Sequence, residues 1–102
     1  MADKVFVTGA GIISALGVGL EATLLSLLNG ESGIGRITHL ETEHDEFPVG
    51  EVALSNAEMS RMLNVGYPID GLRTVLMGII AAKEAVASAK LLLSELRKAA
   101  FI

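Results

Sequence analysis

The 102-residue sequence contains no cysteine, no tryptophan and only two prolines. Without cysteine the chain can form no disulfide and no cysteine zinc site, and it holds no thiol nucleophile. Aromatic residues are confined to Phe6, Phe47, Tyr67 and Phe101, and Lys+Arg 8 against Asp+Glu 12 gives a formal charge of −4. Nucleic-acid binding needs a cationic face and stacking platforms, so no nucleic-acid partner is expected. Long apolar runs are missing too. The uncharged stretch Thr74 to Ala82 ends at Lys83–Glu84, far short of the ~20 apolar residues that cross a bilayer. Val5 to Leu20 is also uncharged, but Gly9, Gly11, Gly17 and Gly19 punctuate it and Asp3 precedes Lys4. A secretory leader has a basic start and a helical apolar core instead. The expectation is a cytoplasmic protein with no membrane contact.

Apolar side chains are abundant. Hydrophobic residues make up 51% and charged residues 20%, a balance opposite to that of disordered chains. The length fits one small domain, yet the mean hydropathy is +0.54. A domain of this size buries only ~60–65% of the surface its unfolded chain exposes. So apolar a sequence is therefore expected to be part of something larger.

Lys4 to Thr8 reads as a short buried strand running into a Gly-Ala-Gly turn. A helix is expected from about Val18 to Asn29, with Leu20, Leu24, Leu25, Leu27 and Leu28 covering one broad face and Glu21 in its first turn. Gly30 stands where helices stop in the left-handed conformation. Ser32 to Glu46 is polar and increasingly acidic, the pattern of a surface loop. Phe47 to Leu54 reads as a second strand, kept at a sheet edge by Pro48 and Gly50. Ser55 and Glu58 have capping-box spacing for a helix to about Leu63, followed by a break over Asn64 to Pro68. Asp70 is placed to cap the longest helix, about Gly71 to Lys90, where the alanines and Gly78 permit close approach of a neighbour. Leu91 to Lys98 reads as a connector with a turn at Ser94–Glu95, and Ala99 to Ile102 as the start of a third strand. The expected class is α/β, an incomplete βα layer structure spanning residues 1–102 and cut off near its third strand.

Gly9-Ala10-Gly11-Ile12-Ile13-Ser14 lies between the first strand and the first helix, as a dinucleotide turn does. Ser14 stands where a third small residue belongs, and no acidic residue ends a second strand ~20 residues on. His39, Glu41, Glu43, His44, Asp45 and Glu46 gather metal-ligand types in one loop. Such charge runs normally face water, and no second ligand cluster accompanies them. His39 and His44 are of the residue type that commonly serves as a general base, but no nucleophile accompanies them and no serine lies in a Gly-x-Ser-x-Gly elbow. Met59, Met62 and Met77 fall at apolar helix positions and read as core. No catalytic, cofactor-binding or metal-binding residue is assigned.

The run Val7-Thr8-Gly9-Ala10-Gly11-Ile12-Ile13-Ser14-Ala15-Leu16-Gly17 resembles the opening of β-ketoacyl-[acyl carrier protein] synthases. Further resemblances follow in the family's order. Leu28-Asn29-Gly30-Glu31-Ser32-Gly33-Ile34-Gly35-Arg36-Ile37 is similar to its Gly-x-Ser-Gly-Ile segment, and Phe47-Pro48-Val49-Gly50-Glu51-Val52 to its phenylalanine and Gly-Glu-Val strand. Arg73 and Ala81-Ala82-Lys83-Glu84-Ala85 resemble the helix before its third strand. The resemblance implies a thiolase-like, layered αβαβα fold, of which this chain is the first part of the N-terminal half.

It also implies an acyltransferase of fatty acid biosynthesis, or of polyketide or aryl-polyene synthesis. Such enzymes condense an acyl chain, held as a thioester on a cysteine, with malonyl groups on acyl carrier protein. Two histidines, or histidine and asparagine, promote decarboxylation. Backbone amides form the oxyanion hole, and no metal or nucleotide cofactor takes part. Those catalytic residues would lie beyond position 102, so the chain by itself is expected to be inactive. Its partner would be acyl carrier protein, and the full-length protein would be a homodimer. Thr8, Gly9, Gly11, Ser14, Leu16, Gly17, Ser32 and Gly33 match the family's N-terminal motif in structural roles. The glycines would permit a tight passage and Thr8 or Ser14 would satisfy backbone donors. The alternatives are a small nucleotide-binding α/β module built on Gly9 to Ser14, or a non-catalytic interaction or chain-length partner domain.

Overall fold

The computed structural model describes residues 3–64 and 72–99. Its centre is a glycine segment laid against the longest helix. Among the described residues the helices are α1 (Leu20–Leu28), α2 (Asn56–Met62), α3 (Arg73–Ala89) and α4 (Leu93–Leu96). The strands are β1 (Ile13–Ser14), β2 (Gly17–Val18), β3 (Ile34–Gly35) and β4 (Val49–Gly50). They form two separate antiparallel pairs. Ile13 faces Val18 and Ser14 faces Gly17 in one; Ile34 faces Gly50 and Gly35 faces Val49 in the other. The chain is thus mixed α and β, with hairpin-like pairs where the sequence suggests longer strands.

Gly9 and Gly11 cross α3 where Ala81, Ala85 and Ala89 repeat every fourth residue and form a ridge of small side chains. A Cβ on Gly11 would overlap the Ala81 carbonyl oxygen and stand 2.8 Å from the Ala85 nitrogen. One on Gly9 would stand 2.8 Å from the Ala89 Cβ. Backbone meets backbone here, and only glycine allows it. The core lies on another side of the same helix, where Met59, Leu76 and Ile80 are buried and Ile13, Val18, Leu54, Leu63 and Met77 pack around them.

Local signals place α2 and the end of α1. Ser55 Oγ accepts from the Glu58 N–H at 3.1 Å while Glu58 Oε2 accepts from the Ser55 N–H at 2.7 Å, the expected capping box. Glu21 occupies the first turn of α1, and Gly30 has φ 66 beyond its end. Met59 and Met77 serve the core, whereas Met62 is exposed. The long helix runs within the expected span, but its N-cap residue Leu72 offers no side-chain bond; Asp70, proposed as its cap, lies outside the described residues. It ends at Lys90 in the left-handed conformation, φ 56. Asn64, at the start of the expected break, is also left-handed, φ 54.

Several expectations need correction. Lys4 to Thr8 is not a buried strand. No ladder forms there, and Val5, Phe6 and Val7 are 93%, 75% and 88% exposed. A buried strand needs neighbours on both sides, and no described segment lies beside this one. The glycine turn leads first into the β1–β2 hairpin, so α1 begins at Leu20. Its leucines face outward, and Thr23 and Ser26 are buried instead. The second strand shrinks to Val49–Gly50, and its partner β3 arises inside the expected loop. Ser94–Glu95 belongs to one helical turn, α4, with Glu95 accepting from the Leu92 N–H at 3.3 Å. Of the expected third strand, only Ala99 lies within the described residues, and it is irregular.

The chain exposes 8167 Å², against about 5,500 Å² for a compact monomer of its mass. Its radius of gyration is 16.3 Å, against ~13 Å. Much of the excess is apolar, from Val5–Val7 and the α1 leucines.

Because Gly11 touches the α3 backbone, Gly11→Ala is expected to lower stability to denaturant by about 1–3 kcal/mol. Gly35→Ala, where a methyl meets nothing within 4 Å, should stay within about 0.5 kcal/mol of the parent. Equal effects of the two substitutions in urea titrations would remove the close-approach argument.

Candidate functional site

The polar groups converge at three junctions, each holding backbone in place. At the first, Glu84 of α3 reaches the passage from the glycine turn to α1. Its Oε2 accepts from the Ile12 N–H at 2.9 Å and its Oε1 from the Leu20 N–H at 2.8 Å. Leu20 is the first residue of α1, and Gly19 before it supplies no side-chain cap. The carboxylate therefore meets both an orphan donor and the positive end of the helix dipole. Gly19 has φ 94, a conformation that favours glycine, and a Cβ there would approach Glu84 Oε1 at 3.2 Å. The Gly19 N–H donates to the Ile12 carbonyl at 2.8 Å.

Two buried hydroxyls complete this junction. Ser26 Oγ donates to the Leu16 carbonyl and Thr23 Oγ1 to the Gly19 carbonyl, both at 2.8 Å. The Ser26 bond ties the polar side of α1 to the hairpin, whose Leu16 carbonyl gives the buried hydroxyl its partner, while Thr23 bonds back along its own helix. Ser14 Oγ accepts from the Leu16 N–H at 3.1 Å, and Ser32 Oγ from the Ile34 N–H at 3.2 Å. Ser14 thus has the backbone-satisfying role expected of it. Thr8 is exposed.

At the second junction, Glu51 gathers the turn that follows β3. Its carboxylate accepts from the backbone N–H groups of Thr38 (2.8 Å), His39 (3.1 Å) and Leu40 (2.9 Å), and from Thr38 Oγ1 (2.9 Å). These bonds favour the charged form and hold its pKa down to about 2, with the Thr38 N–H the largest cause. Arg73 makes the third junction. Nη1 donates to the Leu54 carbonyl at 2.7 Å and to Asn56 Oδ1 at 3.1 Å, and Nη2 donates to the Val52 carbonyl at 2.7 Å. The guanidinium fastens the chain between β4 and α2 to the start of α3.

The glycine turn thus carries its own anion. A phosphate brought to the N-terminus of α1 would meet the negative charge of Glu84, already bonded to the amides it would need. The acidic loop stays open to water. Arg36 and Asp45 pair at 3.8 Å, and His44 and Glu46 at 3.6 Å, all largely exposed, so each pair contributes little. Among the described residues, no group of three or more His, Asp or Glu side chains is arranged to hold a metal ion. His39 and His44 are both exposed, and no nucleophile joins them. No helix among the described residues is long and apolar enough to cross a membrane.

Sequence reasoning assigned Glu84, Glu51 and Arg73 no role of their own. Part of their signal was available: Glu51 is a lone charge in an apolar stretch, and Glu84 is the single acid of a largely apolar helix that Arg73 begins. Comparison with known protein families, with curated proteins and with solved structures finds no match for the chain.

Two measurements test these junctions. Glu84→Ala should cost about 1–3 kcal/mol in urea unfolding, since two backbone donors lose their acceptor. Glu84→Gln should fall between it and the parent, because the amide oxygen replaces one acceptor only. For Glu51 the folded pKa lies below the unfolded value, 4.5 falling to about 2. Its contribution is therefore complete above the unfolded value and is lost as pH falls through the folded one. Glu51→Gln should flatten the acid limb of the stability curve in that window and leave the alkaline limb unchanged.

Proposed function

We propose that this chain is the opening portion of a β-ketoacyl-[acyl carrier protein] synthase, a thiolase-like acyltransferase of fatty acid, polyketide or aryl-polyene synthesis. In that reading the whole enzyme transfers an acyl group from a cysteine thioester to the enolate formed when malonyl-[acyl carrier protein] loses carbon dioxide, and the cysteine thiolate is released. The chain itself supplies scaffold, with no catalytic, metal-binding or cofactor-binding residue. Acyl carrier protein is the partner, the full-length enzyme is a cytoplasmic homodimer, and the layered αβαβα fold belongs to the whole domain.

The observation that carries this reading is the outward-facing Lys4–Thr8 segment. Its Val-Phe-Val core has the composition of a central strand, yet its side chains stand in water. Each large apolar side chain left exposed forgoes about 1.5–3 kcal/mol of burial, and the α1 leucines add to the deficit. A layered α/β domain supplies the missing neighbours for strand and helix alike. The four ordered motif resemblances point the same way. So does the packing role of Gly9 and Gly11, which makes the glycine turn structural. The nucleotide-binding alternative is disfavoured by Glu84 at the α1 N-terminus.

The test begins with the reading frame that encodes the chain. A continuation past Ile102 into a cysteine at a helix start, followed by two separated histidines, is expected. The product of that frame should condense acyl and malonyl groups on acyl carrier protein, while residues 1–102 alone should not. The same frame with the cysteine replaced would identify a chain-length partner, and a stop codon directly after Ile102 would overturn the proposal.

A further inference from the structure

We propose that Asn29–Gly30, at the end of α1, is a site of self-modification. The Asn29 side chain closes onto the Gly30 nitrogen, loses ammonia and leaves an acid that uncaps the helix. The inference is independent of the ketosynthase reading, because the reacting groups sit on adjacent residues and the only co-reactant is water. Of Asn29, Asn56 and Asn64, only Asn29 precedes a glycine; Ala57 and Val65 follow the other two. A following side chain crowds the approach to its own backbone nitrogen, and glycine has none.

The reaction balances without oxidant, metal or cofactor. The Gly30 N–H gives its proton to solvent, and its nitrogen bonds the side-chain carbonyl carbon of Asn29. The carbon–nitrogen bond of the side-chain amide then breaks, and ammonia leaves with a proton taken from solvent. A five-membered imide ring remains, which water opens at either carbonyl. Breaking the ring's side-chain bond gives aspartate. Breaking its main-chain bond gives isoaspartate, in which the backbone runs through the former side-chain carbons.

Local structure sets the pace. Asn29 is the C-cap of α1, and Gly30 follows in the left-handed conformation, both exposed. Three backbone bonds close this end: the Asn29 N–H to the Leu25 carbonyl at 3.0 Å, Gly30 to Leu27 at 3.2 Å and Glu31 to Ser26 at 2.9 Å. The last two are the pair of a Schellman motif. Asn29 has ψ 0, so its side chain meets the Gly30 nitrogen only after the Cα–C bond turns by about 120°, the spacing of substituents on a tetrahedral carbon. That turn breaks the Gly30–Leu27 bond, the longest of the three. Helix ends fray readily, and nothing packs within 4 Å of the place a Gly30 Cβ would take. Asn56 is held instead, its Oδ1 accepting from Arg73 Nη1 at 3.1 Å.

The product disturbs α1. A carboxylate at position 29 lies at the negative end of the helix dipole, and the last turn has no basic residue to offset it. The isoaspartyl form also lengthens the backbone between Ser26 and Glu31, which takes the Glu31 N–H out of register with its acceptor.

Peptide mass mapping of the 102-residue chain, kept in warm, mildly alkaline buffer, tests this. Trypsin cuts after Arg36, Arg61 and Arg73, so the three asparagines fall on separate peptides. The Val5–Arg36 peptide should gain the mass of an amide-to-acid exchange at least about tenfold faster than the other two, and should become a substrate for isoaspartyl methyltransferase. In guanidinium chloride the gain should be several-fold faster still, since the end of α1 no longer restrains Gly30. There, where folding plays no part, Gly30→Ala should slow it by about tenfold. Amide hydrogen exchange at Glu31 should speed up in the isoaspartyl chain and stay slow in Asn29→Asp, which carries the charge without the longer backbone. Equal rates at the three asparagines would overturn the proposal, as would reaction in denaturant with none in the folded chain. So would an acid formed without isoaspartate, which means direct hydrolysis, or unchanged exchange at Glu31 in the isoaspartyl chain.

Discussion

Everything around α3 depends on how closely another backbone can approach it. Gly9 and Gly11 lie on Ala81, Ala85 and Ala89 with no room for a methyl group, and one carboxylate on the same helix, Glu84, bonds the amides on either side of the β1–β2 hairpin. The two features need each other. Without the alanine ridge the glycine segment would lie too far from α3 for Glu84 to reach both amides. Without Glu84, nothing described would cap α1 at its first residue, and the close contact would leave the Ile12 amide with no acceptor. The orientation of α1 follows from the same clamp. Held at Leu20, the helix turns Ser26 toward the Leu16 carbonyl, which sends its leucines outward.

Three sides of α3 do three different jobs. The alanine side receives the glycine segment, the Leu76–Ile80 side makes the core with Met59, and the Ile79–Val86 side lines a groove with α4. A helix that is apolar nearly all round is characteristic of the interior of a large domain. Here only part of that surface is covered. The buried set among the described residues is accordingly small, and of their large side chains Met59 and Leu76 are the ones fully enclosed. Much of what holds the described fold is polar: Arg73 on three oxygens, Glu51 on three backbone amides, and the Ser55–Glu58 box.

Features governed by neighbours in sequence were legible. The Ser55–Glu58 box, the span of α3, the acid in the first turn of α1 and the left-handed Gly30 each depend on residues within one turn of the chain. Features governed by distant partners were not. The leucine pattern of α1 marks an apolar face correctly, but periodicity says nothing of whether that face has anything to cover. Lys4–Thr8 has strand composition, yet a strand exists only beside another one. Glu84 acts across 64 and 72 residues, a separation at which no local spacing rule applies, and the short β3–β4 pair joins segments that read singly as loop and edge.

The glycine turn shows why a motif needs its surroundings. Strand-like residues, Gly-x-Gly and a following helix look alike whether the amides await a phosphate or are already bonded within the fold. In a nucleotide site the glycines make room for the ligand, and the helix N-terminus is left open to receive its charge. Here the room is taken by α3, whose backbone fills the space a Cβ would need, and the charge comes from Glu84. The same two physical demands, close approach and a negative group at a positive helix end, are met from inside the chain. An alanine-rich helix with one acid in its middle is the sequence counterpart of that solution. Its presence further along the chain, more than the glycines themselves, indicates which kind of turn this is.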